Sequence, residues 1–175
     1  IAQQTDYIDA HIALNKLYWE HNQDSQFLGS FQQALAKVPT SVSLYMTYIS
    51  HLLKADKVEL AIDVTLKGLK ACGEQHPLLH ALGTLYYNQK KYDDALRLFE
   101  RSLIFSPNNV RYLLDKANIL IKSSQYNDAL DLLTQAVNIE PDNQEVWAYL
   151  GLCWRFIDIS KYQWLNNYKQ LVSVK

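Results

Sequence analysis

Residues 76–109 read HPLLHALGTLYYNQKKYDDALRLFERSLIFSPNN. Leu79, Leu82, Gly83 and Tyr86 recur at helical spacing, which puts them on one face of a helix. Asn88, Gln89, Lys90 and Lys91 form a polar break. Ala95, Phe99 and Ser102 carry the same spacing through a second helix. Pro107 stops it, because proline lacks an amide proton and clashes with the turn before it. Helices this short do not bury an apolar face alone. The two are expected to lie antiparallel and to pack on a further element.

The chain supplies that element by repeating itself. Shifted forward by 34 positions, the pattern returns over 110–143 with Leu113, Ala117, Leu120, Ala129, Leu133, Ala136 and Pro141. KYDDALRLF in one copy faces QYNDALDLL in the next. Shifted back, it returns over 42–75 with Tyr45, Leu52, Ala61 and Gly68, and with Gly73 in the proline position. It returns again over 8–41 with Leu14, Tyr18, Phe31, Ala34 and Pro39. Residue 144 opens a fifth copy with Trp147, Leu150, Gly151 and Trp154.

These residues resemble the tetratricopeptide repeat family, whose pattern W-x2-L-G-x2-Y, A-x3-F-x2-A and P recurs every 34 residues. The third copy reads L-x2-L-G-x2-Y, then A-x3-F-x2-S, then P. The fifth opens W-x2-L-G-x2-W. The resemblance covers about residues 8–156 without a gap. It implies an all-α fold, a right-handed superhelical solenoid of antiparallel helix pairs. One domain over 1–175 would hold repeats at 8–41, 42–75, 76–109 and 110–143, a partial fifth at 144–156, and a divergent capping helix at 158–175. Departures are local: Phe27 replaces a small residue, Thr65 an aromatic one, and Gln163 and Asn167 stand where alanine and an aromatic belong.

Composition fits an elongated helical array. The apolar share is 49%, enough for a continuous core. Five glycines and four prolines are too few for disorder or a sandwich of short strands. Seventeen basic and 18 acidic residues are dispersed, so nucleic acid has no basic stripe to bind. No apolar run is long enough to span a membrane. The chain begins at Ile1, which points to a processed or excised piece, and residues 1–7 are the tail of an earlier helix or a frayed end. Cys72 and Cys153 lie in repeats two and five, too far apart in a stack to form a disulfide. Free thiols fit a reducing compartment, so a cytoplasmic location is expected.

Helix limits follow from the capping residues. Repeat one is expected to have helices at 8–21 and 25–37, with Asp24 or Ser25 as cap, and repeat two at 42–55 and 57–71, with Ser41 as cap. Asn109, and Asp142 or Asn143, cap the A helices of repeats four and five, where Glu145 complements the helix dipole. Gly83, Ala95, Ala117, Ala129 and Gly151 mark close helix approaches. A mid-helix glycine costs about 1 kcal/mol against alanine, so Gly83 and Gly151 are expected where no side chain fits. In the tail, Trp164, Leu165, Tyr168, Leu171 and Val172 share one helical face, the pattern of a terminal cap. The tail also resembles the segment that follows tetratricopeptide repeats in some multidomain proteins with an iron and 2-oxoglutarate oxygenase domain. On that resemblance the chain is the non-catalytic, regulatory or substrate-presenting part of a larger enzyme, since no H-x-D ligand pattern with a distant histidine occurs in it.

Enzyme signatures are missing: no G-x-S-x-G, P-loop, H-E-x-x-H, paired C-x2-C or glycine-rich phosphate turn is present. The chain reads as no enzyme and as needing no cofactor. His76 and His80 stand four apart, and Asp115 is a conceivable third ligand. Two histidines do not make a structural zinc site, and Pro77 places His76 at the helix entry, so no metal is expected. His51 reads as a satisfied core histidine.

The resemblance implies that A-helix positions 2, 5, 9, 12 and 13 line a concave groove that binds peptides. The fifth place holds Ile12, Met46, His80 and Leu114, and the ninth Lys16, Ser50, Thr84 and Asn118. The twelfth holds Trp19, Leu53, Tyr87 and Ile121. Arg111 is at the second place of repeat four, with Lys54 and Lys122 at the thirteenth. Trp19, Met46, Leu53, Tyr87 and Ile121 together would make an apolar strip of the kind that marks a binding surface. Lys16, Asn118 and Arg111 are repeats apart, so a clamp on a terminal carboxylate is not expected. An apolar or amphipathic peptide fits better, with Asn118 bonding its backbone. The function read from the sequence is a protein–protein scaffold or adaptor. Leu152 and Phe156, apolar at groove positions of repeat five, leave homo-oligomerisation as a further option.

Overall fold

The structure, a computed structural model, describes residues 2–21 and 24–157, and the side chains of residues 7–18, 21 and 26–157. Among them are nine helices and no strand. Repeat one forms α1 (Ala2–Glu20) and α2 (Asp24–Lys37), and repeat two forms α3 (Val42–Lys54) and α4 (Val58–Cys72). Repeat three forms α5 (His76–Asn88) and α6 (Tyr92–Phe105), and repeat four α7 (Val110–Lys122) and α8 (Tyr126–Ile139). Repeat five begins with α9 (Gln144–Ile157). The tail at 158–175 and the cap at Asp24 or Ser25 lie outside the described side chains. The all-α helix-pair architecture is the one the 34-residue period predicts. Its largest departure is α1, which runs back to Ala2 because residues 2–7 contain no proline or glycine to stop it.

The chain divides into two compact bodies, Ile1–Leu98 and Phe99–Lys175. In the first, α1 to α5 pack each on the next in sequence, and α3 packs also on α1 and α5. Phe31 and Tyr48 stack at 4.5 Å, with Phe27 edge-on to Phe31 at 5.1 Å. The unusual Phe27 is thus a core residue, only 3% exposed. His51 is a satisfied histidine: its Nδ1 lies 2.8 Å from the Thr47 carbonyl and its ring 5.1 Å from Phe27. Thr65, in an aromatic position, is fully buried and donates to the Ala61 carbonyl at 2.6 Å. In the second body α8 packs between α7 and α9 around Leu113, Ala117, Leu133, Val146 and Leu150.

A side-chain cap begins α3, α7 and α9, and a left-handed turn ends α3, α5 and α7. Ser41 Oγ accepts the Leu44 N–H at 3.3 Å, and Asn109 Oδ1 accepts the Tyr112 N–H at 3.2 Å. Asn143 Oδ1 accepts the Glu145 and Val146 N–H groups at 3.0 and 3.3 Å. Each cap satisfies amides that the first turn leaves unpaired. At the other end stand three left-handed residues 34 apart: Asp56 (φ 55), Lys90 (φ 62) and Ser124 (φ 60). There the next residue donates back across the turn, Lys57 to the Leu52 carbonyl, Lys91 to Tyr86 and Gln125 to Leu120, at 2.8–2.9 Å. This closure sets where each B helix starts.

Gly83 is buried. At Gly151 a Cβ would meet nothing within 4 Å among the described residues, and the tail expected to close that seam lies outside them. The tight glycine is Gly68 on α4, against Tyr45 and Leu78. Cys72 and Cys153 are both free, and burial pushes Cys153 up to about 11.

Candidate functional site

Within the first body, α3 and α5 leave a cleft of about 440 Å³ lined by Met46, Ile49, Ser50, Leu53, Lys54, Ala81 and Thr84. Capping by Ser41 and closure at Asp56 fix the rotation of α3, so Met46, Ser50 and Leu53 fall on one face. The walls are mainly apolar. Leu53 keeps 38% of its surface exposed. Ser50 and Lys54 are exposed at the rim, and Lys54 makes no ion pair among the described residues. The Thr84 hydroxyl donates to the His80 carbonyl at 3.0 Å, which leaves its methyl for the cleft.

The other groove residues of this body serve partly as structure. Ile12 and Met46 pack on the core cluster beneath them. The Tyr87 ring lies 5.6 Å from that of Tyr92. Lys16 is exposed, His80 is half-buried, and the side chain of Trp19 lies outside the described residues. Sequence reasoning missed Ile49 and Ala81, which wall the cleft from positions next to the transferred ones. Apolar type alone does not distinguish such wall residues from core.

In the second body two groove assignments change. Leu114 is 3% and Ile121 8% exposed, so both are core residues of a body in which α7 packs on α8 and α9. They offer a partner almost no area. Arg111 Nε meets Asp115 Oδ2 at 3.1 Å, and its Nη1 lies 3.8 Å from Glu145 Oε2. With two carboxylates beside it, Arg111 is not a free anion receptor. Asp115 serves this pair. Asn118 is half-buried. Phe156, 53% exposed, stacks on Tyr126 at 4.8 Å, and Leu152 is half-buried.

Buried Asn15 is the polar oddity. It is fully buried, and neither its Oδ1 nor its Nδ2 has a hydrogen-bond partner among the described residues. It holds the position occupied elsewhere by Ile49, Gly83, Ala117 and Gly151. Among the described residues no three His, Cys, Asp or Glu side chains gather to hold a metal, and no helix is long and apolar enough to cross a membrane.

Paired helices joined by matched turns, with a side-chain-lined cleft on the A helices, define a helical-repeat protein. Residues 86–153 match the family model described as tetratricopeptide repeat. Over those residues the chain carries tetratricopeptide repeat sequence. It is 33% identical over 81 residues to the BBSome complex member BBS4 homolog of Drosophila melanogaster, a match covering 46% of this chain and 17% of that protein. The chain thus spans under a fifth of that relative's length. In fold it is similar to Pseudomonas aeruginosa pilF, with TM-score 0.78 at 16% identity, covering 98% of this chain and 77% of that one. It is also similar to YrrB, with TM-score 0.70 at 17% identity, covering 89% and 81%. These two likenesses show the fold.

Proposed function

We propose that this chain is a protein–protein interaction module that holds a peptide segment of a partner in the cleft between α3 and α5. The observation that carries the proposal is the convergence of Met46, Ser50, Leu53, Lys54 and Thr84, all at positions the family uses for binding, on one apolar-walled opening. Such openings take a bulky apolar side chain and exclude water around it. The charge pattern argues against a carboxylate clamp, since Arg111 already pairs with two acids. An apolar or amphipathic peptide is the better ligand. The uses named for the relatives are of this kind: the fruit-fly protein is a BBSome complex member, and YrrB is a TPR protein with an unusual peptide-binding site. The contribution of this module is recognition rather than catalysis.

The test is selection of peptides from a displayed random library on the immobilised chain, followed by anisotropy titration of the recovered sequences. Ser50→Trp fills the opening from an exposed position and should weaken binding at least tenfold. Recovery of no peptide, or unchanged binding by Ser50→Trp, would reject this cleft as the site.

A further inference from the structure

We propose that the α3–α5 cleft selects acidic peptides: the segment it holds carries an aspartate or glutamate within two residues of the bulky apolar side chain that fills the opening, and Lys54 receives that carboxylate. The proposal rests on the reading of the cleft as a peptide site, and it adds the chemistry that chooses among peptides.

Every described residue that lines the cleft belongs to α3 or α5, and Lys54 is the one charged side chain among them. It is exposed and makes no ion pair among the described residues. By contrast, Lys67 pairs with Asp63 at 2.7 Å, and Lys91 stands over the Tyr86 ring at 5.3 Å. A lysine in the last turn of a helix has an ordinary use, because it complements the helix dipole and the carbonyls there. At the end of α3 those carbonyls already have donors. Ala55 donates to the His51 carbonyl at 3.0 Å, Lys57 to Leu52 at 2.9 Å and Asp56 to Leu53 at 3.1 Å. The ammonium group of Lys54 is therefore left for a ligand.

Ser50 stands one turn before Lys54 and supplies a second donor. Thr47 and Thr84 turn their hydroxyls back to carbonyls of their own helices, at 2.9 and 3.0 Å. Ser50 is exposed and makes no such bond among the described residues. Helical side chains lean towards the N-terminus of their helix, which carries the stem of Lys54 over the turn that holds Ser50. Ammonium and hydroxyl thus flank one end of the opening, beside Leu53. One ammonium with one hydroxyl suits a single side-chain carboxylate. A phosphoryl group brings nearly two charges, and a lone cation would leave part of that charge unmatched.

Spacing fixes where the acid falls. Ser50 and Lys54 are four residues apart, about 6 Å along the helix axis. An extended peptide advances about 3.3 Å per residue. An acid that reaches Lys54 from an anchor seated beside Ser50 is therefore one or two residues from that anchor. An exposed charge pair adds little affinity, but it steers encounter and discriminates between partners. The apolar walls hold the peptide, and Lys54 selects it.

The acidic probe is the peptide acetyl-Ser-Gly-Glu-Gly-Trp-Gly-Glu-Gly-Ser-amide. Gln or Lys replaces both Glu residues in the neutral and basic probes, and a parallel set is centred on Leu. Each is titrated into the isotope-labelled full chain and followed by backbone amide shifts, which also read weak binding. The acidic probes should shift amides of α3 and α5 and bind at least about threefold tighter than the neutral ones, with the basic ones weakest. Lys54→Glu should invert that order. About 0.5 M NaCl should erase it and leave the neutral probes unchanged. Ser50→Trp should weaken every probe. Equal affinity for the three charges, with all binding lost in Ser50→Trp, would overturn the acidic selection and leave the peptide cleft standing. An acidic preference that survives Lys54→Glu would overturn Lys54 as its receptor. No shift of α3 or α5 amides with any probe would overturn the proposal, and the display selection then judges the cleft by itself. Binding only after the terminal amide is replaced by a free carboxylate would overturn it in favour of a chain end. Concentration-dependent dimers of the chain alone, abolished by Lys54→Glu, would overturn it in favour of a second copy.

Discussion

The backbone of Gly68 lies directly against the ring of Tyr45: a Cβ at Gly68 would stand 3.0 Å from Tyr45 Cγ and 3.1 Å from Cδ1. Leu78 Cδ1 closes the other side at 3.3 Å. Cγ is the root of the ring, and Tyr45 is only 6% exposed, so the ring has little room to swing away. Alanine gains about 1 kcal/mol of helix propensity over glycine, while overpacking costs about 1–3 kcal/mol. Overpacking wins here. Gly68→Ala should lose about 1 kcal/mol net, whereas Gly151→Ala, with nothing within 4 Å among the described residues, should gain about 0.5–1 kcal/mol. Thermal melts of the two variants should move in opposite directions, and shifts of the same sign would refute this packing.

The left-handed turn residues give a second stability prediction. Asp56, Lys90 and Ser124 hold φ values of 55–62° that favour glycine. A side chain there costs roughly 1–2 kcal/mol, of which glycine returns part to the unfolded chain as entropy. Lys90→Gly should therefore stabilise by about 0.5–1 kcal/mol, and Ser124→Gly by a similar amount. Urea unfolding of each single variant checks it; a lower midpoint would mean that the side chain matters more than the backbone strain.

Much of this architecture is legible in the sequence because the period places one residue type at one structural job. Ser41, Asn109 and Asn143 cap as their side-chain chemistry requires. What escapes the sequence depends on neighbours. A mid-helix glycine reads alike at Gly68 and Gly151, but among the described residues only Gly68 meets a packed neighbour, the ring of Tyr45. The candidate site was half legible. Met46, Ser50, Leu53 and Thr84 meet at one cleft, while Leu114 and Ile121 are core. An apolar residue at a groove position looks the same in the sequence whether its surface faces water or another helix. Left-handed Lys90 and Ser124 were invisible because neither is the glycine or asparagine that marks such turns.

Burial of Cys153 makes a pH prediction. Desolvation disfavours the thiolate and raises the thiol from 9.0 to about 11. A raised value in the folded state means that the unfolded chain loses this proton first. The stabilising contribution is complete below about pH 9 and is lost as the pH climbs towards 11. Cys153→Ala should flatten the fall in melting temperature across that window, compared with the parent chain. Parallel curves for the two proteins would show that other groups govern the alkaline limit.

The functional prediction separates the cleft from the outer helix faces. For a peptide selected on the chain, affinity should rest on a few apolar contacts. Leu53 is the best single test. It is 38% exposed before binding, so a ligand can still cover it, and its truncation leaves the buried core unchanged. Leu53→Ala should weaken binding by at least about 1 kcal/mol with helical content intact. Tyr87→Ala should also weaken binding, but with some loss of stability, because Tyr87 packs on Tyr92 within the protein. Asn118→Ala, in the second body, reads whether the ligand reaches beyond the α3–α5 cleft. Arg97→Ala provides the contrast. Its pair with Asp94, at 2.6 Å, is 70% and 47% exposed, and exposed pairs contribute at most about 1 kcal/mol to stability. Binding should not depend on it. If Arg97→Ala or Asp131→Ala abolished binding while Leu53→Ala did not, the peptide would lie on the B helices and the cleft assignment would be wrong.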